Sequence, residues 1–189
     1  MIDVPLLIDT SVALNLLAMG VSTALIESFG VACFVSSAVY DETIYIRSED
    51  PTQLPEPVSM DPWLKRGCVR VLEPENRLEQ ELYVQFAVEL DDGEAMSLAI
   101  CRARGFGLAT DDRKARRIAS QLSAPPVQVI STSEIVHHWA TKASIGQDEL
   151  RRVLVAIEQR ARFIPPHDYP LRRMVDLQSG GKRAARVLR

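Results

Sequence analysis

An α/β fold, with a mostly parallel central sheet sandwiched between helices, is what this sequence predicts, on three observations. Short apolar runs of buried-strand type alternate with helical stretches in the order βαβαβααβαβα, the pattern of a parallel sheet with helical crossovers. Four short acidic segments stand where a run ends or a helix begins, which in such folds is the edge where ligands bind. The chain has 189 residues, 47% of them hydrophobic, enough to bury one full core but not two.

The elements follow in order. Val4-Pro5-Leu6-Leu7-Ile8 is the first strand, ending at Asp9, with Thr10 or Ser11 as the cap of a helix through Val12, Ala13, Leu14, Leu16 and Leu17. Val31 to Val35 is a second strand, and Ser36-Ser37 caps a helix expected to run through Val39, Glu42, Ile44 and Ile46. Glu49 to Pro62, with Pro51, Pro55, Pro57 and Pro62, reads as a mobile surface loop. Cys68 to Leu72 is the third strand. Glu75 to Leu90 is a helix with Leu78, Leu82, Phe86 and Leu90 spaced by four.

Asp91-Asp92-Gly93 then breaks the chain and Glu94 opens the next helix. Phe106 to Ala109 is the fourth strand, Asp112 to Gln121 an Arg-rich helix, and Val127 to Ile130 the fifth strand, followed by a capped helix start at Ser131-Thr132-Ser133-Glu134. Leu150, Val153, Leu154, Ile157 and Ala161 make an amphipathic helix that Pro165-Pro166 ends. The chain thus divides into a main domain over residues 1–145, a helical extension packed on it over 146–178, and a basic tail over 179–189 that is expected to be flexible.

The net charge of −3 hides an asymmetry: residues 1–100 carry 5 basic and 17 acidic side chains, residues 101–150 carry 7 and 5, and residues 151–189 carry 10 and 3. A chain acidic in front and basic behind can hold a cation on one surface and attract a polyanion with another. Apolar runs fall well short of the roughly 20 residues of a membrane span, and the start lacks the basic region of a signal peptide, so a soluble cytoplasmic protein is expected. Cys33, Cys68 and Cys101 have no zinc-type spacing and read as reduced core thiols. No Gly-rich phosphate loop, Gly-x-Ser-x-Gly elbow or dinucleotide fingerprint occurs, which removes nucleotide-switch, serine-hydrolase and dinucleotide functions.

The acidic segments carry the chemistry. They are Asp9 in Leu6-Leu7-Ile8-Asp9-Thr10-Ser11, Glu42 in Val39-Tyr40-Asp41-Glu42, Glu94 in Gly93-Glu94-Ala95-Met96-Ser97-Leu98-Ala99, and Asp112 in Thr110-Asp111-Asp112. Like charges gathered at one sheet edge need a counter-charge, and oxygen-only donors select hard cations such as Mg²⁺ or Mn²⁺. Asp is also a preferred cap and turn residue, so Asp111 and Asp92 stand open between further metal ligands and local structure.

These four segments, in this order on these elements, resemble the PIN-domain ribonucleases, which include toxins of bacterial and archaeal toxin–antitoxin pairs. The resemblance covers roughly residues 4–142 and implies a PIN-like three-layer sandwich for the main domain. It implies Asp9, Glu42, Glu94 and Asp112 as catalytic residues and a metal held by Asp9, Glu94 and Asp112, with Asp111 and Asp92 as further contributors. The Thr-x-Asp spacing of the family favours Asp112 over Asp111 as the inner ligand.

Thr10, Ser11, Arg113, Lys114, Arg116 and Arg117 then become the expected substrate contacts, with RNA running over the start of the Arg-rich helix. The implied activity is a Mg²⁺- or Mn²⁺-dependent endoribonuclease, with RNA and a small antitoxin as partners and a homodimer as a form that such toxins commonly take. The alternative is a catalytically weak PIN-like module that binds RNA or protein. A haloacid-dehalogenase-type phosphatase is disfavoured, because Ser11 stands where that family needs a second Asp.

Overall fold

A computed structural model of the chain describes residues 2–42, 44–48, 50, 52–166 and 171. Five parallel strands form the central sheet: β1 (Leu6–Ile8), β2 (Cys33–Ser36), β5 (Val69–Leu72), β6 (Gly107–Ala109) and β7 (Val129–Ile130), in the spatial order β5-β2-β1-β6-β7. Successive side chains of a strand point to opposite faces, and the packing follows. Leu6, Ile8, Cys33, Val35 and Ala109 enter one apolar core, whereas Leu7, Phe34 and Leu108 enter the other.

The first core is covered by α1 (Thr10–Ala18), α2 (Ser22–Ser28), α3 (Ser37–Asp41), α4 (Asp61–Lys65), α8 (Thr132–Lys142) and α9 (Gln147–Ala156), the last running on into a π-helical turn at Ile157–Ala161. The second is covered by α5 (Arg77–Phe86), α6 (Asp92–Arg104) and α7 (Arg113–Gln121). The sheet between two helical layers is the α/β sandwich that the sequence predicts.

Local signals set most boundaries. Ser36 caps α3 through Val39 N at 3.3 Å, Asn76 caps α5 through Glu79 N at 3.0 Å, and Ser131 with Glu134 forms a reciprocal capping box at α8. Helix α6 ends on Gly105 at φ +69°, a left-handed position that favours glycine. Leu150, Val153, Leu154 and Ile157 join the same core as β1, so the C-terminal helix is part of the packed body. Among the described residues no single helix is long and apolar enough to cross a membrane.

One region departs from expectation. The helix begun at Ser37 stops at Asp41, and Ile44–Ile46 is instead strand β3, paired antiparallel with β4 (Glu56–Val58) in a separate hairpin. Ile44 and Ile46 are buried and Tyr45 exposed, the alternation of a strand, so burying both isoleucines needs an extended backbone there. The segment expected to be a loop therefore contains β4 and leads into α4, where Asp61 and Pro62 occupy the first turn. The basic tail over 179–189 lies outside the described residues.

Candidate active site

The sheet order places β1 at its centre. From β1 the chain steps outward to β2 and β5, then returns to the other side of β1 for β6 and β7. The two directions of travel leave a crevice at the carboxyl ends of β1 and β6, the topological switch point where α/β sheets bind ligands. Ile8 pairs with Ala109, so Asp9 and Thr110 emerge side by side into it.

Asp9 is buried, 1% exposed, with its backbone N–H bonded to Ala109 O at 3.0 Å. Contrary to the expectation that Thr10 or Ser11 caps α1, Asp9 does so: its Oδ1 accepts from Val12 N at 3.0 Å and from Ser11 Oγ at 2.8 Å. Ser11 Oγ in turn accepts from Asp111 N at 3.0 Å, tying the ends of β1 and β6 together. Burial pushes the Asp9 carboxyl up to about 6, against hydrogen bonds from Thr110, Val12 and Ser11 and with the charge of Asp111 adding to the rise.

Glu94 stands in the first turn of α6, partly buried, and its carboxyl is pushed up to about 7. Burial is the larger cause, followed by the charges of Asp112, Asp9 and Asp91, so Glu94 faces acidic groups from β1 and from the start of α7. Glu42 follows the end of α3 in extended conformation and lays its Oε1 against Gly93: a Cβ on that glycine would stand 2.5 Å from it and 3.6 Å from Thr10 Oγ1. Four elements distant in sequence thus bring Asp9, Glu42, Glu94 and Asp112 around the first turn of α6.

Asp111 and Asp112, adjacent in sequence, do different work. Asp111 accepts from Thr132 N and from Asn15 Nδ2, each at 3.0 Å, and from Thr132 Oγ1, so both of its oxygens are engaged in joining α1 to α8. Asp112 uses only Oδ1, accepting from Lys114 N at 2.7 Å and Ala115 N at 2.8 Å as the cap of α7. Among the described residues its Oδ2 carries no hydrogen bond, and the charge that Glu94 feels most is Asp112.

Asp92 accepts from Tyr83 OH at 3.0 Å, toward α5, and Asp91 is the neighbour that acts on Glu94. The donor set suits a hard cation, since all four site residues offer carboxylate oxygen and two of them are held against ionisation. Among the described residues, no three His, Cys, Asp or Glu side chains stand close enough to hold a metal ion.

Sequence reasoning did not single out Asn15 or Thr132. Asn15 is a buried polar residue on the otherwise apolar face of α1, four positions after Ser11, and that placement is the signal it gives.

The basic residues of α7 are partly engaged. Arg116 donates to Thr110 O at 3.0 Å and lies 4.0 Å from Glu134; Arg117 pairs with Glu89 at 3.1 Å; Lys114 donates to Glu89 O. Arg113 is exposed, and it lines a cleft with Arg116 and Arg117.

A domain family described as PIN domain has a model that matches residues 5–172, from the first strand into the segment after the π-helical turn. No curated protein and no solved structure matches the chain.

Proposed function

The chain belongs to the PIN-domain family, and from that premise we propose that it is a Mg²⁺- or Mn²⁺-dependent endoribonuclease hydrolysing RNA phosphodiester bonds. The PIN fold is generally a nuclease fold, and PIN domains generally use divalent metal ions. The observation that carries the reading here is Glu94: a carboxyl pushed up to about 7 by burial and by Asp112, Asp9 and Asp91 at the switch point of a parallel sheet. Structural ion pairs lower carboxyl pKa values, whereas this arrangement repels itself until a cation or a phosphate-bound cation joins it.

Asp9, Glu94 and Asp112, drawn closer together than they stand here, would hold the ion, and it would supply charge neutralisation on the phosphate and a more acidic water. Glu42, placed beside α6 by Gly93, would orient that water or accept its proton. Asp9 and Ser11 lock the ends of β1 and β6 so that the carboxylates keep their spacing. Thr10, whose hydroxyl lies near Gly93, and Arg113, next in sequence to Asp112, would contact an entering phosphate.

The test is cleavage of defined RNA pools by purified protein in chelator, Mg²⁺ and Mn²⁺. Metal-dependent cleavage that disappears in Asp9→Asn and Glu94→Gln is expected; an Asp9→Asn protein that still cleaves, free of contaminating nuclease, excludes this site. A second reading, a PIN-like module that binds RNA or protein with little turnover, is favoured by the absence of three converged ligands among the described residues. Tight RNA binding with no cleavage in any metal would select it.

The biological setting that we propose is the cytoplasm, as the toxin of a toxin–antitoxin pair that works alone or as a homodimer. A short neighbouring reading frame whose product silences the cleavage is the corresponding observation.

A further inference from the structure

We propose that the groove between the β3–β4 hairpin and α9 is a second anion site, which holds the backbone of a single-stranded RNA a few nucleotides away from the acidic crevice. This deepens the ribonuclease reading and takes its ligand from it. The groove has a volume of about 930 Å³, within the range that receives a drug-sized ligand. Among the described residues its charged lining is Arg47 and Asp50, just after β3, and Arg151, Arg152 and Arg160 from α9 and the turn after it.

The wall is fixed. Arg47 N donates to Arg160 O at 2.9 Å, Arg160 Nε donates back to Arg47 O at 3.3 Å, and Arg160 Nη2 pairs with Glu56 at 2.6 Å. With Arg160 so engaged, the exposed Arg47, Arg151 and Arg152 line the groove without an ion pair among the described residues. Asp50, the acidic lining residue among the described ones, accepts from Thr52 N at 2.9 Å and from Thr52 Oγ1 at 2.7 Å. Guanidinium forks suit phosphate oxygens.

Two further observations identify the occupant. Arg47 is the first basic residue of a strongly acidic half, and the next is Lys65. It stands five residues after Glu42, so the groove begins at most about 17 Å along the chain from the site carboxylate, and α1, which Asp9 caps, packs against both β3 and the π-helical turn. A strand leaving the crevice in this direction meets the arginines within roughly a few nucleotides. The chain's own end is a poor occupant, since residues 172–189 carry Arg172, Arg173, Lys182, Arg183, Arg186 and Arg189 against the single acidic Asp176.

The experiment measures binding of a labelled single-stranded RNA of about 12 nucleotides, inside the range one groove can cover, in chelator so that nothing is cut, over a series of salt concentrations. The variants are Arg151→Glu/Arg152→Glu, the milder Arg151→Gln/Arg152→Gln, and Arg77→Gln on α5 as a distant control, each checked by melting for an intact fold. Affinity about tenfold weaker in the Glu variant, less in the Gln variant, and a log–log salt slope smaller by about 1.4 for two lost phosphate contacts is expected. Wild-type affinity and slope in both double variants would overturn the proposal. So would a groove that instead captures poly-glutamate with no change in RNA binding. Metal-dependent cleavage by the wild type is scored separately: no cleavage with a weakened double variant fails the nuclease reading and keeps the groove, and the converse fails the groove alone.

Discussion

The Glu42 carboxylate rests on the bare backbone of Gly93: a Cβ there would stand 2.5 Å from Oε1 and 3.2 Å from Val39 Cγ2. The glycine therefore has a packing reason, which is to let a carboxylate from the end of α3 reach the first turn of α6. Gly93→Ala forces Glu42 aside while favouring the helix by about 1 kcal/mol in intrinsic propensity. The expected result is a melting temperature unchanged or slightly raised and cleavage reduced by about tenfold or more. Full activity in Gly93→Ala would remove Glu42 from the reaction.

Asp111 and Asp112 should separate by truncation. Asp111→Ala leaves Thr132 N and the Thr132 hydroxyl without their acceptor and takes from Asn15 Nδ2 one of its two, the other being Thr132 Oγ1, at a cost of about 1–3 kcal/mol for each group left unsatisfied. Asp112→Ala removes the cap of α7, about 1 kcal/mol. Asp112→Asn keeps an Oδ1 for the cap, so it should hold its melting temperature and lose cleavage. Denaturant unfolding of all three variants checks the order; a larger loss for Asp112→Ala than for Asp111→Ala would reverse the assignment.

Those two aspartates also mark where sequence ran out. The apolar runs around β1, β2, β5, β6 and β7 are legible because each is closed by a turn or cap signal, and the order of the acidic motifs follows from them. Adjacent residues leaving a strand point in opposite directions, and composition does not say which of Asp111 and Asp112 turns toward Glu94. The same limit hid the cap of α1, where Asp9, Thr10 and Ser11 are all good capping residues and only burial of Asp9 decides. The β3–β4 hairpin was lost to a helix signal begun by Ser36 and Val39, because Ile44-Tyr45-Ile46 is too short an alternation to outweigh it.

Arg104 gives a control outside the site. Its guanidinium donates Nε and Nη2 to the buried Glu79 at 2.8 and 2.9 Å, and Nη2 to Glu73 O at 2.9 Å. The Arg104 guanidinium holds the Glu79 carboxyl below its ordinary value, so this pair stabilises the fold above the ordinary Glu range and loses that contribution as pH falls. Arg104→Ala strands a buried carboxylate and should cost about 3–5 kcal/mol. RNA cleavage per folded molecule should be unchanged, measured at a temperature where the variant is fully folded; a specific loss of turnover would tie α6's far end to the site.

The metal-free protein should become less stable as pH rises through neutrality. Asp9 titrates at about 6 and Glu94 at about 7, both above the ordinary values of 3.8 and 4.5. Between those limits the folded state keeps protons that the unfolded chain has released, so the folded state is favoured at the acid end and that advantage is lost as pH climbs through 6 to 7. His138, whose burial holds its pKa down, works the other way in the same window, so the useful quantity is the difference between wild type and variant, in which His138 cancels. In chelator at about pH 8 and constant ionic strength, Asp9→Asn retains the Oδ1 cap of α1 while removing a buried charge. It should melt a few degrees above wild type, on the order of 1 kcal/mol at about 2–4 °C per kcal/mol, and the gap should narrow as pH falls below about 6 and close only below the ordinary Asp value of 3.8, where Asp9 is protonated in the unfolded chain as well. Mg²⁺ or Mn²⁺ should raise wild type more than the variant. A variant that melts below wild type at both pH values, with no selective metal effect, would leave Asp9 as the cap of α1 alone and take the metal-dependent reading with it.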